Sequence, residues 1–177
     1  MTRILDIILS VIGLLFLSPF LLAVALCCYF DTRHPVFKQQ RLGKNCCAFT
    51  LIKFRTMFVD TKNIGTHLVQ KSEITALGAI LRKYKIDELL QLWNVLMGEM
   101  SIVGPRPCLK SQKEVIKERK CLDVFRVLPG ITGLSQLEGI DMSTPKKLAV
   151  CDAKMIENMS VSKYFFFIFK TLVSLWK

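Results

Sequence analysis

The sequence predicts an α+β fold, predominantly helical, in which a long apolar helix leads a small domain that contains one β-hairpin. Three observations carry this prediction. An uncharged apolar run extends from Ile7 to Phe30, a paired-strand pattern occupies residues 35 to 57, and amphipathic helical periods fill most of the remainder.

The chain has 177 residues, about one domain, with room for a core. Apolar residues make up 51%, the mean hydropathy is +0.38, and the net charge is +11. Excess apolar surface with excess positive charge suggests a membrane-seated protein that meets a negatively charged partner. Nucleic acid is the other usual partner of a basic chain, but no nucleic-acid-binding motif is present and the apolar residues gather at the two ends, which favours lipid. The seven cysteines include two side-by-side pairs, Cys27-Cys28 and Cys46-Cys47, and no C-x-x-C. That pattern argues against a disulfide framework or a zinc site and for reduced thiols of a cytoplasm-facing protein. The presence of only His34 and His67 argues against a histidine-based triad or a His-rich metal site.

The run from Ile7 to Phe30 would make a helix of about 36 Å, enough to span a bilayer. Ser18-Pro19 lies in its middle. Proline removes one backbone donor and bends a helix, and a neighbouring serine hydroxyl can bond back to a carbonyl and ease the bend. Two arms of about 18 Å are each too short to cross, so the run either spans with a kink or enters and leaves on one face. Arg33, Lys38, Arg41 and Lys44 follow it and place that flank in the cytoplasm.

"PVFKQQR" and "FTLIKFRTM" flank the turn-prone "LGKNCCA" and read as a hairpin. Alternation puts Lys53 and Arg55 on one face, which by itself fits a solvated basic strand. Residues 58 to 72 read as a polar surface loop. Helical periods follow at 73 to 84, from Leu89 to Leu96, and in "CLKSQKEVIKERKCLDVFRV". "PGITGLSQLEG" reads as a loop, and "TPKKLAVCDAKMIENM" restarts a helix with Pro145 in its first turn. In "VSKYFFFIFKTLVSLWK", Lys163, Lys170 and Lys177 form one stripe beside Phe165, Phe166, Phe169, Leu172, Val173 and Trp176. This suits either an in-plane interfacial helix or one docked on the domain.

The chemistry concentrates in "KIDELLQLWNVLMGEMSIVGPRP", residues 85 to 107. Leu89, Leu92, Trp93 and Leu96 define a face expected to be buried, with Asp87 at the N-cap and Glu88 at the first helical position. Most acid pairs at a helix start only cap it. Adjacent acids project about 100° apart, however, which suits two separate tasks, a nucleophile and a ligand for a hard divalent cation such as magnesium. Pro105 and Pro107 fix φ on both sides of Arg106, which limits the entropy lost when its planar fork grips an oxyanion. Arg82 lies five residues before Asp87 and offers a second positive group. Acid pair, framed arginine and basic hairpin together point to phosphoryl transfer.

"LRKYKIDELLQLWNVLMGEMSIVGPRP", with "PVFKQQRLG", "FTLIKFRTM" and "PGITGLSQ", resembles the monotopic phosphoglycosyl transferases, bacterial sugar transferases that act on undecaprenyl phosphate. The resemblance covers nearly the whole chain. It implies a re-entrant membrane helix over residues 1–31 broken at Ser18-Pro19, a catalytic domain over 32–160 on the cytoplasmic face of the inner membrane, and an interfacial helix over 161–177. It further implies that Asp87 attacks the β-phosphate of a UDP-sugar, that UMP leaves, and that undecaprenyl phosphate then takes the phosphosugar from the aspartate. Glu88 would bind Mg2+, Arg82 and Arg106 would hold phosphates, and Lys53 and Arg55 are further phosphate candidates. Such a reaction opens polysaccharide or glycoconjugate assembly, with later glycosyltransferases as candidate partners. Leu128, Leu134, Ile140 and Met155 depart from the residues common in the family at those places, and Glu99 replaces an aspartate. Those departures motivate a second reading, a catalytically weak member that serves as a membrane scaffold for glycosyltransferases.

Overall fold

A computed structural model describes residues 2–59, 61 and 71–175. Most of the expected 58–72 loop, His67, Trp176 and Lys177 lie outside the described residues. The element order is α1 (Thr2–Thr32), β1 (Val36–Leu42), β2 (Ala48–Phe54), α2 (Ala76–Lys83), α3 (Gln91–Leu96), β3 (Ser101–Val103), α4 (Lys113–Cys121), β4 (Gly130–Thr132), α5 (Leu134–Leu137), α6 (Pro145–Glu157) and α7 (Val161–Ser174). The described residues are therefore mostly helical, with two small two-stranded sheets.

The apolar run folds as one helix, and α1 is long and apolar enough to cross a membrane. It is not interrupted at Ser18-Pro19, where a break was expected. The local bonding gives the reason. Pro19 cannot donate to the carbonyl of Leu15, and the Ser18 hydroxyl donates to that carbonyl instead, at 2.8 Å.

Only part of α1 is buried, and side chains such as Phe16, 82% exposed, project away from the protein. The buried positions fall along its whole length. The Arg3 guanidinium donates to the carbonyls of Val95 (2.6 Å) and Leu96 (3.0 Å), satisfying the C-terminal end of α3. Leu92 packs against Gly13. Leu21, Val24 and Cys28 form a cluster with Phe54 and Leu81. Asp6 is buried, and its Oδ1 accepts bonds from the Ser101 hydroxyl (3.0 Å), the Ile102 amide (2.9 Å) and the Tyr164 hydroxyl (2.7 Å). One carboxylate thus ties α1 to β3 and α7. Tyr164→Phe removes one of the three bonds and is expected to lower stability by about 1.5 kcal/mol in chemical unfolding, since the other two remain.

The hairpin forms as expected, antiparallel, with Gln39 opposite Leu51 and Arg41 opposite Phe49. Its turn carries left-handed Asn45 and Cys46 (φ 53° and 58°). Third-strand bonding to β2 is replaced by a side chain of α3. Asn94 accepts from the Ile52 amide (3.0 Å) and donates to the Thr50 carbonyl (2.8 Å) and to Glu99 (2.6 Å). The mild Asp-to-Glu departure at 99 thereby has a structural role.

Two expectations are corrected here. The buried face of α3 carries Gln91, Asn94 and Val95, not Leu89, Leu92, Trp93 and Leu96; Trp93 is 53% exposed. The apolar stripe packs partly on α1 and otherwise faces outward, while the polar side docks through Asn94. "PGITGLSQLEG" is not a loop. Residues 130–132 pair in parallel with β3, and 134–137 form α5. Gly130 and Gly104 approach so closely that a Cβ on Gly130 would fall 2.0 Å from the Gly104 amide nitrogen. That contact brings the Pro-Gly segment against the start of the Pro105-Arg106-Pro107 strut.

α7 docks on the domain, one of the two arrangements expected for the C-terminal segment, and leaves an apolar face exposed. Tyr164 and Phe167 are buried in the domain, while Phe165, Phe166, Phe169, Leu172 and Val173 form an exposed apolar face.

Candidate active site

The acid pair does not cap a helix. Ile86–Glu88 form a single 3-10 turn ahead of α3, and neither carboxylate caps it. Lys85, immediately before, is left-handed (φ 52°), a conformation disfavoured for a side chain of this size. The reversal turns Asp87 inward, where it is 5% exposed.

Positive groups reach the pair from three elements. β2 carries Lys53 on the same face as Phe49 and Leu51, so it points toward the interior and is half-buried, not solvated as the strand pattern alone allowed. α2 carries Arg82. Its N-cap is Thr75, and it lies against the end of the hairpin at Gly78, where a Cβ would sit 2.1 Å from the Thr56 carbonyl oxygen. One turn later the Arg82 Nε donates to the Thr56 hydroxyl at 2.8 Å. Arg106 reaches Glu88 and forms an ion pair at 3.0 Å.

The prolines do not hold this arginine alone. Buried Arg119 donates to the Arg106 carbonyl (2.7 Å) and buried Arg41 to the Pro107 carbonyl (3.1 Å). Arg119 is anchored by Asp152 through two bonds (3.0 and 2.7 Å), and Asp152 also accepts from Ser135 (2.9 Å).

Burial pushes the Asp87 carboxyl up to about 6, and neighbouring Glu88 pushes the same way, while Lys53, Arg82 and Arg106 pull against them. Burial also lowers Lys53 to about 8 despite the favourable field of Asp87. Arg55 stands apart. It donates to the His34 carbonyl at 3.0 Å and stacks over Phe37, as Lys53 also does.

A narrow cleft is lined by Lys53, Glu88, Gln91, Arg106 and Gln136, among others. It adjoins a cavity of about 320 Å³ whose walls include Arg41, Arg106, Gln112, Gln136, Ile140 and Leu148. Among the described residues no cluster of three or more Asp, Glu, His or Cys side chains exists. A cation here would be held by one or two carboxylates together with substrate oxygens, the manner in which magnesium binds phosphorylated substrates. Glu88 fits that set, because it engages Arg106 through one oxygen only.

The structure brings together Asp87, Glu88, Arg82, Arg106 and Lys53, the residues that the sequence grouped as a candidate site, and leaves Arg55 outside. The sequence reading missed Arg41, read only as a flanking charge, and the Arg119–Asp152 support. A signal for Arg41 was available: Gln39 and Arg41 occupy the strand face that pairs with Leu51 and Phe49, where polar residues are unusual.

A model of the bacterial sugar transferase family matches residues 1–177. The chain belongs to that family. It is 39% identical to the exopolysaccharide production protein PSS of Rhizobium leguminosarum bv. phaseoli, over 97% of this chain and 93% of that protein. It is 40% identical to an undecaprenyl-phosphate glucose phosphotransferase of Komagataeibacter xylinus, over 77% of this chain but 27% of that longer protein. A UDP-N-acetylgalactosamine-undecaprenyl-phosphate N-acetylgalactosaminephosphotransferase of Aeromonas hydrophila is 33% identical, over 94% of this chain and 41% of its own length. These bacterial sugar transferases are the family that the acid-pair and Pro-Arg-Pro blocks resemble.

Proposed function

We propose that this bacterial sugar transferase moves a sugar-1-phosphate from a UDP-sugar to undecaprenyl phosphate, releasing UMP, through a phosphosugar ester of Asp87. The observation that carries the reading is the Asp87 carboxylate, enclosed beside Glu88 and within the field of Lys53, Arg82 and Arg106. Such a site offers a nucleophile, partly desolvated, in a setting that offsets the charge of a diphosphate. The Asp87 oxygen forms the new bond to the β-phosphorus, the bond from that phosphorus to the bridging oxygen breaks, and UMP carries away the electron pair. The lipid phosphate oxygen then attacks the same phosphorus and Asp87 leaves as a carboxylate. Magnesium, when bound at Glu88, supplies further neutralisation of the diphosphate. Arg106 and Arg82 hold phosphate oxygens, and Lys53 keeps the carboxylate ionised as substrate arrives.

A seat on one face of the inner membrane, with the site toward the cytoplasm, fits the packing of α1. Arg3, Asp6, Gly13, Leu21, Val24 and Cys28 all touch the domain. A helix crossing the bilayer would carry one end far from a domain on the other side.

The four departures from the family favour the enzyme over the scaffold. Leu134 donates its amide to the Met155 sulfur at 3.1 Å, so those two changes sit together in the core. Leu128 lines a separate cavity beside Arg3 and Asp6. Of the four, Ile140 alone borders the candidate site. The test is UMP release by purified protein with undecaprenyl phosphate, magnesium and a panel of UDP-sugars. At least one donor is expected to yield UMP. Silence across the panel would leave the scaffold reading in its place.

A further inference from the structure

Arg41 is 7% exposed, yet among the described residues it forms no ion pair. Its Nε and one terminal nitrogen donate to the Gln39 amide oxygen and the other to the Pro107 carbonyl, all neutral acceptors. Three of its five N–H groups are thereby used and two are left over. Burial, with Arg106 nearby, lowers it to about 10. A buried guanidinium without a carboxylate is costly unless an anion completes it. It lines both the cleft at Glu88 and the 320 Å³ cavity, and Arg106 stands beside it in both. Around the cleft and the cavity, five cations, Arg41, Lys53, Arg82, Lys85 and Arg106, stand against three carboxylates, Asp87, Glu88 and Asp141. The surplus matches a ligand with two phosphate charges.

Position decides which phosphate Arg41 takes. The cavity is walled by Arg41 of the hairpin, by Lys85 and Arg106 beside the acid pair, by Gln112 ahead of α4, and by α5, α6 and the loop between them. It includes no residue of α1 or α7, which carry most of the exposed apolar surface. It is the side open to a water-soluble ligand. We infer that Arg41 binds the phosphate that departs with the nucleoside, so that the leaving UMP sits between Arg41 and the cavity. The inference rests on the proposed UDP-sugar reaction and adds a residue and a subsite to it.

The experiment compares wild type, Arg41→Gln and Arg41→Lys with the donor that releases UMP. Arg41→Gln is expected to weaken UMP as a product inhibitor, and to raise the donor KM, by at least about tenfold, the loss typical of one charge-assisted contact. The KM for undecaprenyl phosphate should move less than about twofold by the same reasoning, because that contact is not made. Arg41→Lys keeps the charge and should recover much of the UMP affinity. Equal losses in both variants would mean that Arg41 only grips the Pro107 carbonyl, and a raised lipid-phosphate KM with unchanged UMP inhibition would assign it to the acceptor. Either result overturns the inference. Should Arg41→Gln not fold, the side-chain 15N resonance of Arg41 in the unsubstituted protein is expected to shift with UMP and not with uridine; no shift overturns it as well. Absence of UMP release from wild type would instead sink the reaction itself, so the two failures are distinct.

Discussion

Asp87→Asn is expected to abolish transfer while making the protein more stable at pH 8. The amide cannot form the phosphosugar ester, so turnover should fall by at least about 10³-fold, and no covalent adduct should be trapped when donor is added without lipid phosphate. The stability gain follows from linkage. The Asp87 carboxyl titrates near 6 in the fold against 3.8 for the ordinary group, because burial and Glu88 outweigh the three cations. A raised carboxyl pKa contributes stability that is complete below about 4 and is lost as pH rises through 6. Above that, ionised Asp87 costs the folded state on the order of 2–3 kcal/mol, a cost the neutral asparagine does not carry. Unfolding in detergent should therefore show the variant well ahead of wild type at pH 8, ahead by only about 1 kcal/mol at pH 4.5, and level with it near pH 3. In the unsubstituted enzyme the same titration should give kcat/KM a rising limb near pH 6, and loss of charge on Lys53 a falling limb near 8. A variant that is less stable than wild type at pH 8 would mean that the cations hold Asp87 more strongly than burial opposes it.

Much of this architecture was legible because it depends on local signals. The hairpin followed from alternating strands around a Gly-Asn turn, α6 from Pro145 at its start, and the acid pair and framed arginine from adjacency alone. What was not legible depends on contacts distant in the chain. α3 was read from its leucines, but its docking is decided by Asn94 reaching the backbone of β2, 42 residues away. The parallel pair of β3 and β4 has too few residues for a periodic pattern, and it forms because two glycines let the backbones meet. Lys53 and Arg55 were indistinguishable on one strand face. One end of that face enters the cleft, and the other is spent on the carbonyl of His34.

The same limit hid Arg119, whose substitution is expected to have the largest effect on the fold. In sequence it is one of several charges on α4. In the structure it is almost fully buried and holds Asp152 with two bonds and the Arg106 carbonyl with a third. Arg119→Met should cost about 3–5 kcal/mol in chemical unfolding, because a desolvated carboxylate loses its counter-ion. Burial already pushes the Asp152 carboxyl up, and only Arg119 and Ser135 oppose that. Replacing the whole group with apolar side chains, Arg119→Met with Asp152→Leu and Ser135→Ala, removes the orphaned charge and should restore most of the lost stability. Activity should not return with it. The Arg106 carbonyl would still lack its donor, the strut would keep only the Gly130 amide on the Pro105 carbonyl (2.9 Å) and Arg41 on the Pro107 carbonyl, and the donor KM should stay several-fold raised. Recovery of stability and KM together would show that the prolines suffice and that Arg119 serves only the core. Recovery of stability alone would separate the two roles, placing the positioning of the phosphate clamp in one hydrogen bond that reaches it from α4.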